Sequence, residues 1–225
     1  MRFYMKLRLK EDKHKGRLIT FCGLDGCGKT TVIRMLSSSF EIHGLNYVLT
    51  KQPTDNIRRS EIFRTYMDSP DHTRFDYRAL SLSAAADRIQ HTNKYILPLL
   101  TKGTNVISDR YFYSCLANLK ARGYIDDKWI YEIGGYIQKP DISFFLDIDV
   151  EMAIKRVRSR ESERNSYIDI GLQYRLREQY LKIAKEVGGI VISSANSAEE
   201  CFEQVLCHIE KIIKIPIAKE FLQNV

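Results

Sequence analysis

The sequence predicts an α/β protein, a three-layer α/β/α sandwich built on a five-stranded parallel sheet. Short apolar segments alternate with helix-length amphipathic segments along the chain. Strand–helix–strand repetition of this kind builds parallel sheets with helices on both faces. The apolar segments show little polar–apolar alternation, which is typical of strands buried on both sides. No linker rich in proline, glycine or serine divides the 225 residues, so we expect one main domain.

Five short segments rich in β-branched and aromatic residues are the expected strands. They occupy residues 18–22, 47–50, 105–108, 142–146 and 190–193. The expected helices occupy residues 28–43, 78–101, 112–137 with a break near Gly123, 150–160, 170–187 and 197–213. The apolar tail that follows the last helix is expected to pack on the domain or on a second subunit.

The composition excludes several classes of protein. Apolar residues make up 44 % and charged residues 28 % of the chain, with 12 Gly and 5 Pro, which is typical of globular domains rather than collagen-like or disordered chains. No apolar run approaches the roughly 20 residues that span a bilayer, so we expect no membrane partner. Five cysteines without a C-x-x-C pair indicate a reducing compartment, and we expect a cytoplasmic location.

A glycine-rich sequence, GLDGCGKTT, follows the first predicted strand at residues 23–31. Its spacing is the G-x-x-x-x-G-K-T pattern of the P-loop. Glycines allow successive N–H groups to point at phosphate oxygens, and the following helix adds its positive N-terminus. A glycine turn that only caps a strand–helix unit is the alternative. The predicted ATP-binding residues are Gly23, Asp25, Gly26, Cys27, Gly28, Lys29, Thr30 and Thr31.

Two of these side chains have a predicted chemical role. Lys29 would reach the β- and γ-phosphates as a mobile charge, and the Thr30 hydroxyl would bind Mg²⁺. The guanine-reading N-K-x-D sequence of GTPases is absent. Asp109 and Arg110 close the third predicted strand, where strand ends border the ligand crevice of an open parallel sheet. We therefore expect Asp109 near the metal and Arg110 beside the transferred phosphoryl group, with a surface ion pair as the alternative.

Two helical segments carry further candidate residues. Ala84 and Arg88 are four residues apart and share a helix face, where a small side chain beside an arginine leaves room for a flat group. Arg156, Arg160 and Arg164 are spaced by four in a predicted helical lid at about residues 156–168, where a helix would place them on one side. Arginines on such a lid would stabilise transition-state charge and exclude water. Tight helix packing and a solvated helix face are the respective alternatives.

At this point the chain resembles the thymidylate kinase family of nucleoside monophosphate kinases, over about residues 17–195. The motifs that carry the resemblance, in the family's order, are GLDGCGKTT, TKQP, AADRIQH, SDRY, KPDISFFLDI and RLREQYLKIA. The resemblance implies a P-loop NTPase fold with a helical lid, Mg²⁺-dependent phosphoryl transfer from ATP to dTMP, and a homodimer.

The resemblance also implies roles for individual residues. Asp25 would contact the sugar of the acceptor, Arg88 its base and Arg110 its phosphate, while Asp109 would join the metal and water network. Because Gly26 follows Asp25, the catalytic arginine would come from the lid. The predicted catalytic residues are Lys29, Asp109, Arg110, Arg160 and Arg164. The predicted acceptor-binding residues are Asp25, Ala84, Arg88, Arg110 and Tyr111, and the predicted metal ligands are Thr30 and Asp109.

The sequence departs from the family pattern in the base pocket. Ala84 stands where the family has a phenylalanine that stacks on thymine, and segment 118–120 is also altered. Tyr77, Tyr113 or Tyr167 would be the aromatic substitute. A kinase for another nucleotide, nucleoside or nucleotide-like metabolite is therefore the alternative to dTMP. A non-catalytic ATP-binding protein is the second alternative, against which the presence of Lys29, Asp109 and Arg110 argues.

The net charge of +7 is concentrated at the N-terminus. Residues 1–17 hold seven basic and two acidic side chains, a net charge of +5 that leaves +2 for the remainder. We expect residues 1–16 to form a basic leader and residues 17–225 the kinase domain. The leader is predicted to be a solvated tail or an added edge element, with contact to an anionic partner as the alternative. Nucleic acid is not an expected partner, and catalysis is expected to survive removal of residues 1–15.

Overall fold

Five parallel strands form the central sheet of the computed structural model, which describes residues 6–214. Their order across the sheet is β2-β3-β1-β4-β5. The strands are β1 (Leu18–Cys22), β2 (Tyr47–Lys51), β3 (Asn105–Asp109), β4 (Ile142–Asp147) and β5 (Ile190–Ser193). The predicted α/β class and the parallel sheet are confirmed. The predicted packing of the C-terminal tail lies outside the described residues.

Ten α-helices connect and cover the strands within residues 6–214. They are α1 (Lys29–Ile42), α2 (Asp55–Arg58), α3 (Glu61–Asp68), α4 (Tyr77–His91), α5 (Leu97–Lys102), α6 (Phe112–Ala121), α7 (Trp129–Gly134), α8 (Val150–Arg158), α9 (Ile170–Val187) and α10 (Ala198–Ile213). A π-helical turn, Thr92–Ile96, joins α4 to α5. None of these helices is long and apolar enough to cross a membrane.

The central strands lack alternation because helices cover both of their faces. All five residues of β1 are buried, and Phe21 stacks on Phe144 of the adjacent β4 with ring centroids 5.1 Å apart. The edge strands β2 and β5 are only partly buried. The uniform apolar runs at the centre of the sheet therefore follow from burial on two sides.

The helical structure differs from the prediction in two regions. Helices α2 and α3 lie in residues 52–76, for which no helix is predicted. At the expected lid, α8 ends at Arg158 and a 3₁₀ turn, Glu161–Glu163, follows. Because the helix stops there, residues 156, 160 and 164 do not share one helical face.

The strand order places the ligand crevice. The chain passes from β1 through β2 to β3 on one side of β1, and then crosses to β4 on the other. Ligands bind where the order reverses, outside the carboxyl ends of the strands. Here Phe21 of β1 lies level with Asp109 of β3 and with Phe144 of β4. The P-loop and Arg110 consequently leave the sheet side by side.

Candidate active site

A cleft of about 570 Å³ opens at the carboxyl edge of the sheet. The P-loop forms its floor, and side chains from α3, α4, α6, α8, the lid segment and α9 form its walls. Most of the predicted site residues line this cleft together. They are Asp25, Gly26, Gly28, Lys29, Thr30, Ala84, Arg88, Asp109, Arg110 and Arg160.

The P-loop turns through backbone conformations that favour glycine. Gly26 has φ +85° and Gly28 has φ +91°, both in the left-handed region. A Cβ on Gly26 would lie 2.2 Å from the carbonyl oxygen of Ala153 on α8, whereas a Cβ on Gly28 would meet nothing closer than 4.0 Å. The loop therefore approaches α8 most closely at Gly26, and only a residue without a side chain fits there.

Lys29 extends across the P-loop from the first turn of α1. Its ammonium group donates to the carbonyl oxygens of Gly23 at 3.1 Å and Leu24 at 2.7 Å. The side chain is 6 % exposed. Among residues 6–214, the amides of Gly28, Lys29 and Thr30 have no backbone acceptor. These N–H groups and the ammonium form a compact, positive concavity that suits phosphate oxygens.

Arg110 reaches the same loop from β3. Its guanidinium donates to the Asp25 carboxylate at 2.6 Å, to the Tyr180 hydroxyl at 2.9 Å and to the Gly23 carbonyl at 3.3 Å. The guanidinium holds the pKa of Asp25 well below its usual range, because the positive charge favours the carboxylate. Arg110 has φ +67°, a left-handed conformation that a non-glycine residue keeps only where its surroundings fix it.

Asp109 lies beside the P-loop with one oxygen paired and one free. Its Oδ2 forms an ion pair of 3.1 Å with Lys51, a cleft residue at the end of β2 that is not among the predicted site residues. Its Oδ1 is buried without a hydrogen-bond partner among the described residues. Carboxylate and hydroxyl oxygens are ligands that Mg²⁺ prefers, and Thr30 lines the same cleft. The residues present therefore fit a magnesium ion.

The far end of the cleft combines a buried arginine with aromatic rings. Arg88 is 3 % exposed; its Nη1 donates to the Ala84 carbonyl at 2.9 Å, and its Nε is buried without a partner among residues 6–214. Tyr77 lines the cleft, with the guanidinium carbon of Arg122 4.1 Å from its ring centroid. This end therefore offers unused hydrogen-bond donors and flat apolar surfaces together, as recognition of a base requires.

The three suggested aromatic substitutes have different positions. Tyr77 and Tyr167 line the cleft, whereas Tyr113 is 2 % exposed and packs against Phe145 of β4. Phe63 of α3 also lines the cleft. Phe63 is not among the predicted site residues, because no helix is predicted for the segment that carries it.

Five predicted site residues do not line the cleft. They are Gly23, Cys27, Thr31, Tyr111 and Arg164. Tyr111 points into the core: it is fully buried, and its hydroxyl donates to the Gln138 carbonyl at 2.7 Å. Arg164 is exposed, and its carbonyl accepts from Arg158 at 2.5 Å. The i, i+4 spacing that placed Arg164 beside Arg160 fails because α8 ends at Arg158.

Sequence comparison finds a family model and relatives that match most of the chain. A sequence model of a family described as thymidylate kinase matches residues 21–205. The chain is 38 % identical over 197 residues to a probable thymidylate kinase of Thermococcus kodakarensis, covering 85 % of this chain and 96 % of that protein. It is 34 % identical over 199 residues to a probable thymidylate kinase of Pyrococcus horikoshii, covering 87 % and 97 %. It is 33 % identical over 205 residues to a thymidylate kinase of Geobacillus sp., covering 87 % and 96 %.

Proposed function

The chain belongs to the thymidylate kinase family, and on that premise we propose that it transfers the γ-phosphoryl group of ATP to dTMP. One observation supports this proposal above the others. Lys29 from the P-loop and Arg110 from β3 both donate to the carbonyl of Gly23, at 3.1 and 3.3 Å. Two cations, one at the start of α1 and one directly after β3, thus meet at one point, as the transfer of a phosphoryl group between two anions requires.

The donor nucleotide would occupy the P-loop. The amides of Gly28, Lys29 and Thr30 would bind its phosphate oxygens, and the Lys29 ammonium would turn from the loop carbonyls towards the β- and γ-phosphates. Thr30 and Asp109 would hold Mg²⁺, which neutralises phosphate charge when bound. The free Oδ1 of Asp109 supports this assignment.

The acceptor would occupy the opposite part of the cleft. Arg88 would bind a carbonyl oxygen of the base through its unpaired Nε, and Ala84 and Tyr77 would lie beside the ring. Arg110 would hold the acceptor phosphate, which is ionised at neutral pH. Asp25 would keep Arg110 oriented through their 2.6 Å ion pair and would contact the sugar.

The transfer would need no covalent enzyme intermediate. An oxygen of the dTMP phosphate forms a bond to the γ-phosphorus as the bond from that phosphorus to the β,γ-bridging oxygen breaks, which gives dTDP and ADP. Lys29 and Arg110 would hold the two anions in line and reduce their repulsion. Arg160 lines the cleft from the lid segment, paired with Glu163 at 3.1 Å. It is our candidate for the lid arginine that stabilises the transferred group.

A panel of acceptors tests this proposal. The protein with ATP and Mg²⁺ should form ADP fastest with dTMP, compared with other nucleoside monophosphates, nucleosides and nucleotide-like metabolites. Preference for another acceptor would contradict dTMP as the substrate but would leave the assignment as a kinase in place. ATP binding without turnover on any acceptor would instead favour the non-catalytic alternative. The homodimer and the cytoplasmic location stay predictions, which sedimentation and cell fractionation would test.

A further inference from the structure

The N-terminal strap, residues 7–12, lies on the domain beside the loop that precedes β4. It precedes residues 21–205, which the family model matches. The amide of Lys10 donates to the carbonyl of Ile137 at 2.8 Å, and its carbonyl accepts from the amide of Lys139 at 2.7 Å. The strap therefore holds Gln138 from both sides through main-chain hydrogen bonds.

Three further contacts fix the strap in place. The Gln138 side chain donates to the carbonyl of Asp12 at 2.9 Å, and Glu11 pairs with Lys139 at 2.7 Å. Leu7 is 8 % exposed, and its amide donates to Glu186 at the end of α9 at 3.1 Å. Leu7 and Gln138 are buried, and two of these contacts involve main-chain groups, so the strap is packed as part of the domain.

Gln138 connects the strap to the candidate active site. Its carbonyl accepts from the hydroxyl of Tyr111, a fully buried residue next to Arg110 in sequence. Arg110 has φ +67° and is held by its amide, which donates to Phe21 at 2.8 Å. Its carbonyl accepts from Ser108 at 2.7 Å. An uncommon backbone conformation persists only where its neighbours over-determine it, and the hydroxyl bond of Tyr111 holds the residue that directly follows Arg110.

We propose that the N-terminal strap is a positioning element for the acceptor-phosphate site, acting through Gln138 and Tyr111 on the backbone of Arg110. The proposal rests on the proposed function in assigning the acceptor phosphate to Arg110. It reverses the expectation that catalysis survives removal of residues 1–15. It also gives Tyr111 a role other than direct contact with the substrate.

Two substitutions at Lys10 in the full-length chain separate the main chain of the strap from its charge. Lys10→Pro removes the amide that donates to Ile137, whereas Lys10→Ala keeps that amide and removes only the side chain with its ion pair to Asp12. Lys10→Pro should raise KM for dTMP by roughly three- to tenfold, the effect of one lost hydrogen bond, with KM for ATP changed less than twofold. Lys10→Ala should match the wild type in both KM values.

Tyr111→Phe tests the other end of the same connection. It removes the hydroxyl that donates to Gln138 and keeps the ring. We expect the same selective rise in KM for dTMP. The double variant Lys10→Pro/Tyr111→Phe should have a KM for dTMP no higher than that of the worse single variant, because both changes break one chain of contacts. A rise in KM for dTMP equal to the product of the two single rises would overturn the connection from the strap to Tyr111. So would a lower melting temperature with both KM values unchanged, which is the signature of a merely structural strap.

Amide hydrogen exchange at Arg110 provides a readout that needs no turnover. The exchange should be faster in Lys10→Pro than in Lys10→Ala, because the restraint on the backbone of Arg110 is weakened. Equal rates would overturn the inference, whatever the enzyme phosphorylates. If the wild type formed no ADP with dTMP but the two Lys10 variants still differed in exchange at Arg110, the proposed function would be contradicted and the strap's role would stay in place.

Discussion

Substitution of Gly26 by alanine tests how closely the P-loop packs on α8. A Cβ there would lie 2.2 Å from the carbonyl oxygen of Ala153 and 3.1 Å from a methyl group of Val157. Both the loop and the helix backbone would have to move, because a carbonyl oxygen cannot rotate away as a flexible side chain can. The loop that would cradle the phosphates is thereby displaced together with its helical support.

The expected loss of stability has two parts. The left-handed conformation costs a residue with a Cβ roughly 1–2 kcal/mol, and overpacking adds about 1–3 kcal/mol. The sum is about 2–5 kcal/mol. A change of 1 kcal/mol lowers the melting temperature of a chain this long by roughly 2–4 °C. Gly26→Ala should therefore melt about 4–20 °C below the wild type.

Gly28→Ala is the matched control, because Gly28 has a similar positive φ without the collision. Its φ is +91°, and its nearest neighbour, Nη1 of Arg156, is 4.0 Å from the added Cβ. It should lose only the backbone part, about 2–8 °C by the same conversion. The assay is thermal unfolding of both variants without nucleotide. If Gly26→Ala melted at or above Gly28→Ala, the contact with α8 would not determine the glycine at position 26.

Three other changes probe the chemistry of the site. Lys29→Ala should lower turnover about 100-fold or more, the usual effect of removing a preorganised positive donor, while circular dichroism and the melting curve show an intact fold; near-normal turnover would remove its proposed role. Ala84→Phe should lower KM for dTMP about fivefold, since a stacked ring adds about 1 kcal/mol; unchanged acceptor kinetics would place Ala84 away from the base. Asp25→Asn should weaken the loss of stability in acid. Because the pKa of Asp25 is depressed in the folded protein, its carboxylate contributes to the free energy of unfolding above about pH 3.9, and this contribution is lost as the pH falls below that value. The effect should be small, because the side chain is largely exposed. Urea unfolding at pH 5 and pH 2.5 measures it, and equal pH dependence in variant and wild type would contradict it.

The sequence was sufficient for the features that repeat or that have one physical solution. Strands buried on both faces have a uniform apolar pattern, and the predicted bounds of all five strands agree with the observed bounds to within one residue. The P-loop follows from spacing alone, and the parallel topology then brings Asp109 and Arg110 to it. Burial and chain direction, which can be read from the sequence, decide these features.

The sequence does not predict features that depend on short helices, on helix ends or on contacts between distant residues. Helix α2 has only four residues, too few for a periodic pattern, and α3 depends on a cap by Ser60 and on packing against the domain. The end of α8 at Arg158 removed the spacing on which Arg164 was chosen. Tyr111 lies in the core, where its hydroxyl donates to the Gln138 carbonyl far along the chain. These outcomes depend on local helix ends and on tertiary contacts, which the apolar pattern of the sequence does not encode.

Three of the cations that line the cleft are paired with carboxylates before any substrate binds. Arg110 pairs with Asp25, Lys51 with Asp109 and Arg160 with Glu163, at 2.6, 3.1 and 3.1 Å. Each carboxylate fixes the direction of its cation, so the cations are already oriented towards the cleft and little side-chain entropy remains to be lost on binding. The same pairing limits the net positive charge of the site, which weakens attraction to anions that cannot also match its geometry. A ligand with two separate phosphate groups can contact several of these oriented cations at once, whereas a single small anion contacts few of them. Inorganic phosphate should therefore compete poorly with ATP and dTMP for this cleft.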